Sequence, residues 1–115
     1  MEGLELISFT IISNVGSAKS LIMESMKVAR EGRFDEAKKI IEEANKLLTI
    51  GEKEHFKVIT QEAKEQNVSL NILFMHAEDQ LMTTVLLRDM ANELIEMNKM
   101  FLPLIEKNQK ETITK

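Results

Sequence analysis

Apolar residues recur at steps of three and four along most of this 115-residue chain, and this spacing predicts three long helices. The predicted helices cover about residues 4–30, 34–65 and 70–101. Gly32 suits the left-handed position that follows a helix, and Ser69 is a good N-cap for the third segment. Three long helices joined by short breaks predict an all-α fold, an antiparallel three-helix bundle.

Two glycines and one proline interrupt the predicted helices. Gly16 lies inside the first helix, where close packing would explain a residue that weakens helices. Gly51 weakens the middle of the second helix, so a kink is expected there. Pro103 is expected to end or kink the third helix. The chain is therefore divided into a single helical domain at 1–105 and a polar C-terminal tail at 106–115.

The third predicted helix is apolar on two sides at about 100° per residue. One stripe can face the core of the chain's own bundle, and it contains Leu70, Phe74, Ala77, Leu81, Thr84 and Ile95. The second stripe, on roughly the opposite side, contains Met75, Met82, Leu86, Met90 and Met97. A three-helix monomer offers one core, so the second stripe predicts self-association with this helix near the symmetry axis.

Asp79 lies in the middle of the second stripe, where an isolated buried carboxylate would be costly. In a symmetric oligomer, several copies of Asp79 would meet near one axis and could bind a hard cation. The alternative is a partly solvated carboxylate at the edge of the stripe. The spacing alone favours neither interpretation.

The composition argues against several classes of protein and kinds of site. The net charge of −4 argues against a nucleic-acid binder, which normally carries a basic face. The chain has no cysteine, which excludes a disulfide, a thiol nucleophile and a cysteine-based metal site. The apolar runs read as too short for the ~20 residues that span a membrane, and the N-terminus lacks the basic region of a signal peptide. A cytoplasmic location without membrane insertion is expected.

Two histidines are the candidate chemical groups in a chain without cysteine. His76 shares a helix face with Gln80 and Thr83, which lie four and seven residues further on. An imidazole is largely neutral at pH 7, so it could accept a phosphoryl group whose oxygens the amide and hydroxyl would hydrogen-bond. His55 lies in a strongly charged stretch and is expected to be an exposed helical residue.

Several segments resemble the lactose/cellobiose-type enzyme IIA proteins of the bacterial sugar phosphotransferase system. His76-Ala77-Glu78-Asp79-Gln80-Leu81-Met82-Thr83 resembles the family's active-site segment, usually His-Ala-Gln-Asp-His-Leu-Met-Thr. The segments at 16–20 and 29–37 resemble the family's first helix and first inter-helix turn, and Glu62-Ala63 matches the end of its second helix. The resemblance covers nearly the whole chain, in order.

The resemblance implies a homotrimer of three-helix subunits and a phosphotransferase mechanism. His76 would take a phosphoryl group from the phosphohistidine of the carrier protein HPr and pass it to a cysteine of enzyme IIB during sugar import. Gln80, and more weakly Thr83, would contact the phosphoryl group. Asp79 aligns with the family's aspartate near the trimer axis, which is associated with a metal ion, Mg²⁺.

The chain departs from the family pattern at positions near this segment. Gln80 stands where the family usually has a second His, and Glu78 stands where it has Gln. Glu52, and not His55, stands at the position of a family His in the second helix. These departures motivate an alternative, a non-catalytic helical adaptor that keeps the family fold but has lost phosphotransfer. A generic coiled-coil assembly protein is a weaker alternative, because strict heptads are absent.

Overall fold

The computed structural model describes residues 2–65, 68 and 71–114, with the side chains of 112–114 excepted, and consists of three α-helices. Helix α1 is Leu4–Arg30, α2 is Phe34–Glu65 and α3 is Ile72–Thr114. The described ranges contain no β-strand. The predicted all-α three-helix bundle is therefore confirmed, and the predicted bounds of α1 and α2 match the observed ones.

The turn between α1 and α2 is built on Gly32, as its position in the sequence indicates. Gly32 has φ of 83°, a backbone conformation that favours glycine. Its N–H donates to Ala29 O (3.0 Å), and Arg33 N–H donates to Val28 O (3.3 Å), which is the Schellman pattern. Arg33 also contacts Glu31, and this hydrogen bond raises the pKa of the exposed Arg33 guanidinium. The turn thus reverses the chain directly into α2.

The core is a single layer of aliphatic side chains between the three helices. Ile11 and Ile22 of α1 and Leu48 of α2 are its largest fully buried apolar side chains. Phe74, at the other end of α3 from Pro103, covers one end of this core. Such a core is what the spacing of three and four residues requires.

Gly51 lies at a close contact of α2 with α1 and α3. A Cβ atom added there would lie 3.0 Å from Val15 Cγ2 and 3.4 Å from Leu81 Cδ1. The residue is buried, and α2 runs without a break from Phe34 to Glu65. The missing side chain therefore serves helix packing, and the predicted kink at Gly51 stays a prediction.

Gly16 has the opposite surroundings. It is exposed, and a Cβ atom added there would meet nothing within 4 Å. The prediction that Gly16 allows close packing is therefore wrong for contacts within one chain.

Helix α3 begins at Ile72, capped by the residue before it. The Oδ1 atom of Asn71 accepts a hydrogen bond of 2.8 Å from the N–H of Phe74, as an N-cap side chain does. The predicted start at Leu70 and the predicted cap Ser69 lie outside the described residues.

Helix α3 does not end at Pro103. It continues through the proline to Thr114 and comprises 43 residues, so the predicted end near Phe101 is wrong. A proline removes one backbone hydrogen bond, and a long helix with good helix formers on both sides tolerates this loss. The predicted polar tail is exposed and helical as far as it is described. The division at residue 105 stays a prediction.

One helix in the described part, α1, is long and apolar enough to cross a membrane by length and composition. The expectation that no segment reaches this length is therefore wrong for α1. Ile7, Val15 and Ala18 are among its buried apolar residues, whereas Leu6, Phe9 and Met23 are exposed. A core helix of a globular protein meets the same criterion.

Candidate functional site

Helix α3 has one buried and one exposed apolar side, as its pattern predicts. The stripe that faces the core is buried at Phe74, Ala77, Leu81, Thr84 and Ile95; Leu70 lies outside the described residues. The opposite stripe is exposed by 48–69% at Met75, Met82, Leu86, Met90 and Met97. A contiguous exposed surface of this length marks a contact surface.

His76 lies on α3 at the margin of this exposed stripe, with its side chain open to solvent. Gln80, one turn further, is half-buried, and Thr83 is exposed. The Thr83 hydroxyl donates to the backbone oxygens of Asp79 (2.8 Å) and Gln80 (3.3 Å). The structure therefore places the three predicted residues on one side of α3, and the hydroxyl proton of Thr83 is already used within the helix.

Asp79 is exposed among the apolar side chains of the stripe. Within the described residues, no group of three or more His, Cys, Asp or Glu side chains is arranged to hold a metal ion. One chain therefore supplies a single carboxylate at this point. A metal site built on Asp79 would need further copies of the chain.

His55 is not the exposed residue that its charged surroundings suggest. Its side chain is 33% exposed, and its Nδ1 atom contacts Oε2 of Glu78, whose side chain is 18% exposed. The contact lacks hydrogen-bond alignment and is an ion pair only when the imidazole carries a proton on both nitrogens. His55 Nδ1 and Glu78 Oε1 are buried with no hydrogen-bond partner among the described residues. His55 follows Leu48 by seven residues and precedes Val58 by three, so the helical period places it on the core side of α2.

The pair of His55 and Glu78 joins α2 to α3 next to the candidate site. Ion pairs such as Lys46–Glu43 and Lys99–Glu96 are by contrast local contacts within one helix. A hydrogen bond of 3.3 Å from Arg88 to Asn45 makes a second polar link between α2 and α3. Both links join α2 to α3.

An exposed imidazole on a rigid helix is accessible to a partner protein, and its neighbours offer an amide and carboxylates. Among the described residues, the cavity between Lys38 and Asn92 is not lined by His76. The imidazole of His76 is therefore open to contact from outside the chain.

Comparison with known proteins identifies the family of this chain. The chain matches the family model of the PTS system, lactose/cellobiose specific IIA subunit, over residues 6–99. It is 35% identical over 96 residues to the PTS system lactose-specific EIIA component of Staphylococcus epidermidis, covering 84% of this chain and 92% of that protein. It is 35% identical over 95 residues to the PTS system oligo-beta-mannoside-specific EIIA component of Bacillus subtilis, covering 83% and 86%.

A solved structure agrees with the sequence matches. The fold superimposes on the crystal structure of the PTS cellobiose specific enzyme IIA from Bacillus anthracis with a TM-score of 0.84 and 28% identity, covering 90% of this chain and 94% of that chain. The chain therefore belongs to the lactose/cellobiose-specific IIA family of the phosphotransferase system.

Proposed function

We propose that this protein is a phosphocarrier that accepts a phosphoryl group from phospho-HPr on His76 and passes it to a cysteine of enzyme IIB during sugar import. The observation that carries the proposal is the exposed imidazole of His76. It stands in the segment that resembles the family's active site, in a chain that belongs to the family. A cytoplasmic location follows from these partners.

The chemistry is a pair of displacements at phosphorus. A neutral imidazole nitrogen of His76 attacks the phosphorus of phosphohistidine on HPr, so one N–P bond forms as the other breaks. A thiolate of enzyme IIB then attacks the same phosphorus, and His76 leaves as imidazole. The Gln80 amide can donate hydrogen bonds to the phosphoryl oxygens. Thr83 is the weaker contact, because its hydroxyl donates to Asp79 O.

The proposal includes a homotrimer in which the exposed stripe of α3 faces the threefold axis. The stripe supplies the apolar surface that such an interface buries. Three copies of Asp79 would then stand together, and carboxylate oxygens are the ligands that Mg²⁺ prefers. The dication would offset two of the three negative charges at the axis. His76, at the margin of the stripe, would lie in a groove between subunits.

Transfer of labelled phosphate from phospho-HPr tests the proposal. We expect the protein to acquire a phosphate that is labile in acid and stable in base, as a phosphohistidine is. His76→Ala should abolish the labelling, whereas His55→Gln, which changes the other histidine, should retain it. Absence of labelling with an HPr that phosphorylates another IIA protein would refute the proposed function.

A second candidate is a non-catalytic helical adaptor with the family fold. It is favoured by the charge at the site: Glu78 and Glu52 are acidic where the family pattern has neutral or basic residues. Negative charge opposes a phosphoryl dianion. The adaptor predicts a stable complex with a partner protein that is unchanged by His76→Ala, together with no phosphorylation.

A further inference from the structure

The exposed apolar side of α3 continues past the end of the three-helix bundle. Leu102 is level with the α1–α2 turn, since its Cδ2 atom lies 3.3 Å from the position of a Cβ on Gly32. Every side chain from 103 to 111 is exposed. We call residues 100–114 the extension; they follow the region 6–99 that the family model matches.

The extension is a helix with an apolar side and no cover from its own chain. Met100 is 67% exposed and Phe101 50%, and Leu104 and Ile105 are 56% and 52% exposed. A helical segment of this length has little stability in water without tertiary contacts. Pro103 lowers that stability further, because it removes a backbone hydrogen bond. A helix of this kind requires something to cover its apolar side.

The position of the apolar residues indicates what covers them. Met90, Met97 and Leu104 follow one another at intervals of seven residues, so Leu104 lies on the centre line of the exposed stripe. Met100 and Phe101 flank that line at about 40–60° on either side, at ~100° per residue. Any copy of the chain that packs in parallel along the stripe meets the extension as well.

We propose that the extensions of neighbouring copies pack against one another as a parallel coiled coil that prolongs the subunit interface beyond the bundle. The proposal rests on the proposed homotrimer, in which the α3 helices run in the same direction. The extension would then lengthen the shared seam by about four helical turns and tighten the assembly.

The charges of the extension favour a copy of the chain over a lipid surface. Segment 106–115 contains three lysines and two glutamates, so it is nearly neutral, and the whole chain has a net charge of −4. Helices that lie on anionic membranes carry a strongly basic polar face. The extension has no such face.

Cysteine cross-linking tests the proposal, because the chain has no cysteine of its own. In a parallel arrangement, the two copies of a residue on the seam approach within disulfide distance. We expect Leu104→Cys to form disulfide-linked dimers under mild oxidation at micromolar concentration. Glu106→Cys is the matched control: it lies on the opposite side of the helix, about 160° from the seam, and should remain reduced. Equal cross-linking of both variants, or of neither, would overturn the proposal.

Sedimentation gives an independent measurement. Leu104→Gln should raise the concentration at which the assembly dissociates by about tenfold or more, which is the effect of one lost buried leucine per interface. Glu106→Gln should leave that concentration unchanged. An unchanged value for Leu104→Gln, or binding of the wild-type chain to phosphatidylserine vesicles that Leu104→Gln abolishes, would overturn the proposal. Phosphorylation by phospho-HPr, measured on the same samples, tests the proposed phosphocarrier function separately.

Discussion

Alanine at the two helix-interior glycines should have opposite effects on stability. Gly51 is buried, and an added Cβ would meet Val15 Cγ2 at 3.0 Å, whereas Gly16 is exposed with open space around it. Both residues lie inside helices, so alanine gains the same helix propensity at each, about 1 kcal/mol. The difference between the two variants therefore isolates the cost of packing.

The packing cost at Gly51 can be bounded from the contacts. A distance of 3.0 Å is about 0.5 Å shorter than the optimum between carbon atoms, so one partner must move. The atom met is a γ-carbon of valine, whose χ1 is stiff because the side chain is β-branched. Overpacking of this kind costs about 1–3 kcal/mol. Gly51→Ala should therefore lower the free energy of unfolding by about 0–2 kcal/mol, whereas Gly16→Ala should raise it by about 0.5–1 kcal/mol.

Urea denaturation followed by circular dichroism measures both values, at one fixed protein concentration because association shifts the midpoint. Val15→Ala provides the diagnostic background, since it removes the methyl group that the new Cβ meets. In that background, Gly51→Ala should become neutral or stabilising. The two substitutions should then couple by about 1 kcal/mol or more. Equal stabilisation by alanine at Gly16 and Gly51 would refute the close approach of α2 to α1.

Three further predictions concern the site and its supporting helix. Asp79→Leu should give an oligomer that keeps its size in a chelator, measured by sedimentation; dissociation instead would contradict an axial role for this carboxylate. A double-mutant cycle of His55→Ala and Glu78→Ala should give a coupling of about 0.5–1 kcal/mol for this partly exposed pair, and additive effects would show that the contact is not formed in solution. Asn71→Ala should cost about 1 kcal/mol of stability through loss of the helix cap, whereas Asn71→Asp should not; equal losses in thermal unfolding would argue against capping.

The helices and the two-sided character of α3 could be predicted from the sequence because they depend on local spacing. Residues three and four apart share a helix face wherever the helix lies, so Leu81 and Met82 are assigned to opposite environments without any tertiary model. The Gly32 turn is also local, since its hydrogen bonds span only residues 28–33. These features need no knowledge of how the helices pack.

The features that were missed depend on contacts between helices. The partner of His55 is Glu78, on another helix, and a charged surrounding sequence masked the core-side position of the histidine. Gly51 is needed because of its short distance to Val15, and the spacing of residues along α2 does not reveal that distance. The local cost of Pro103 predicts the end of a helix, whereas α3 continues through the proline to Thr114.

The exposed stripe of α3 has a consequence for oxidation chemistry. Four of its residues are methionines, Met75, Met82, Met90 and Met97. A sulfoxide turns each thioether into a polar group that an apolar interface does not accommodate. Separated chains would present these sulfur atoms to peroxide, whereas assembled chains would enclose them. The rate at which the four methionines oxidise would therefore report how much of the protein is assembled, and oxidised chains would be slow to return to the assembly until a sulfoxide reductase restores them.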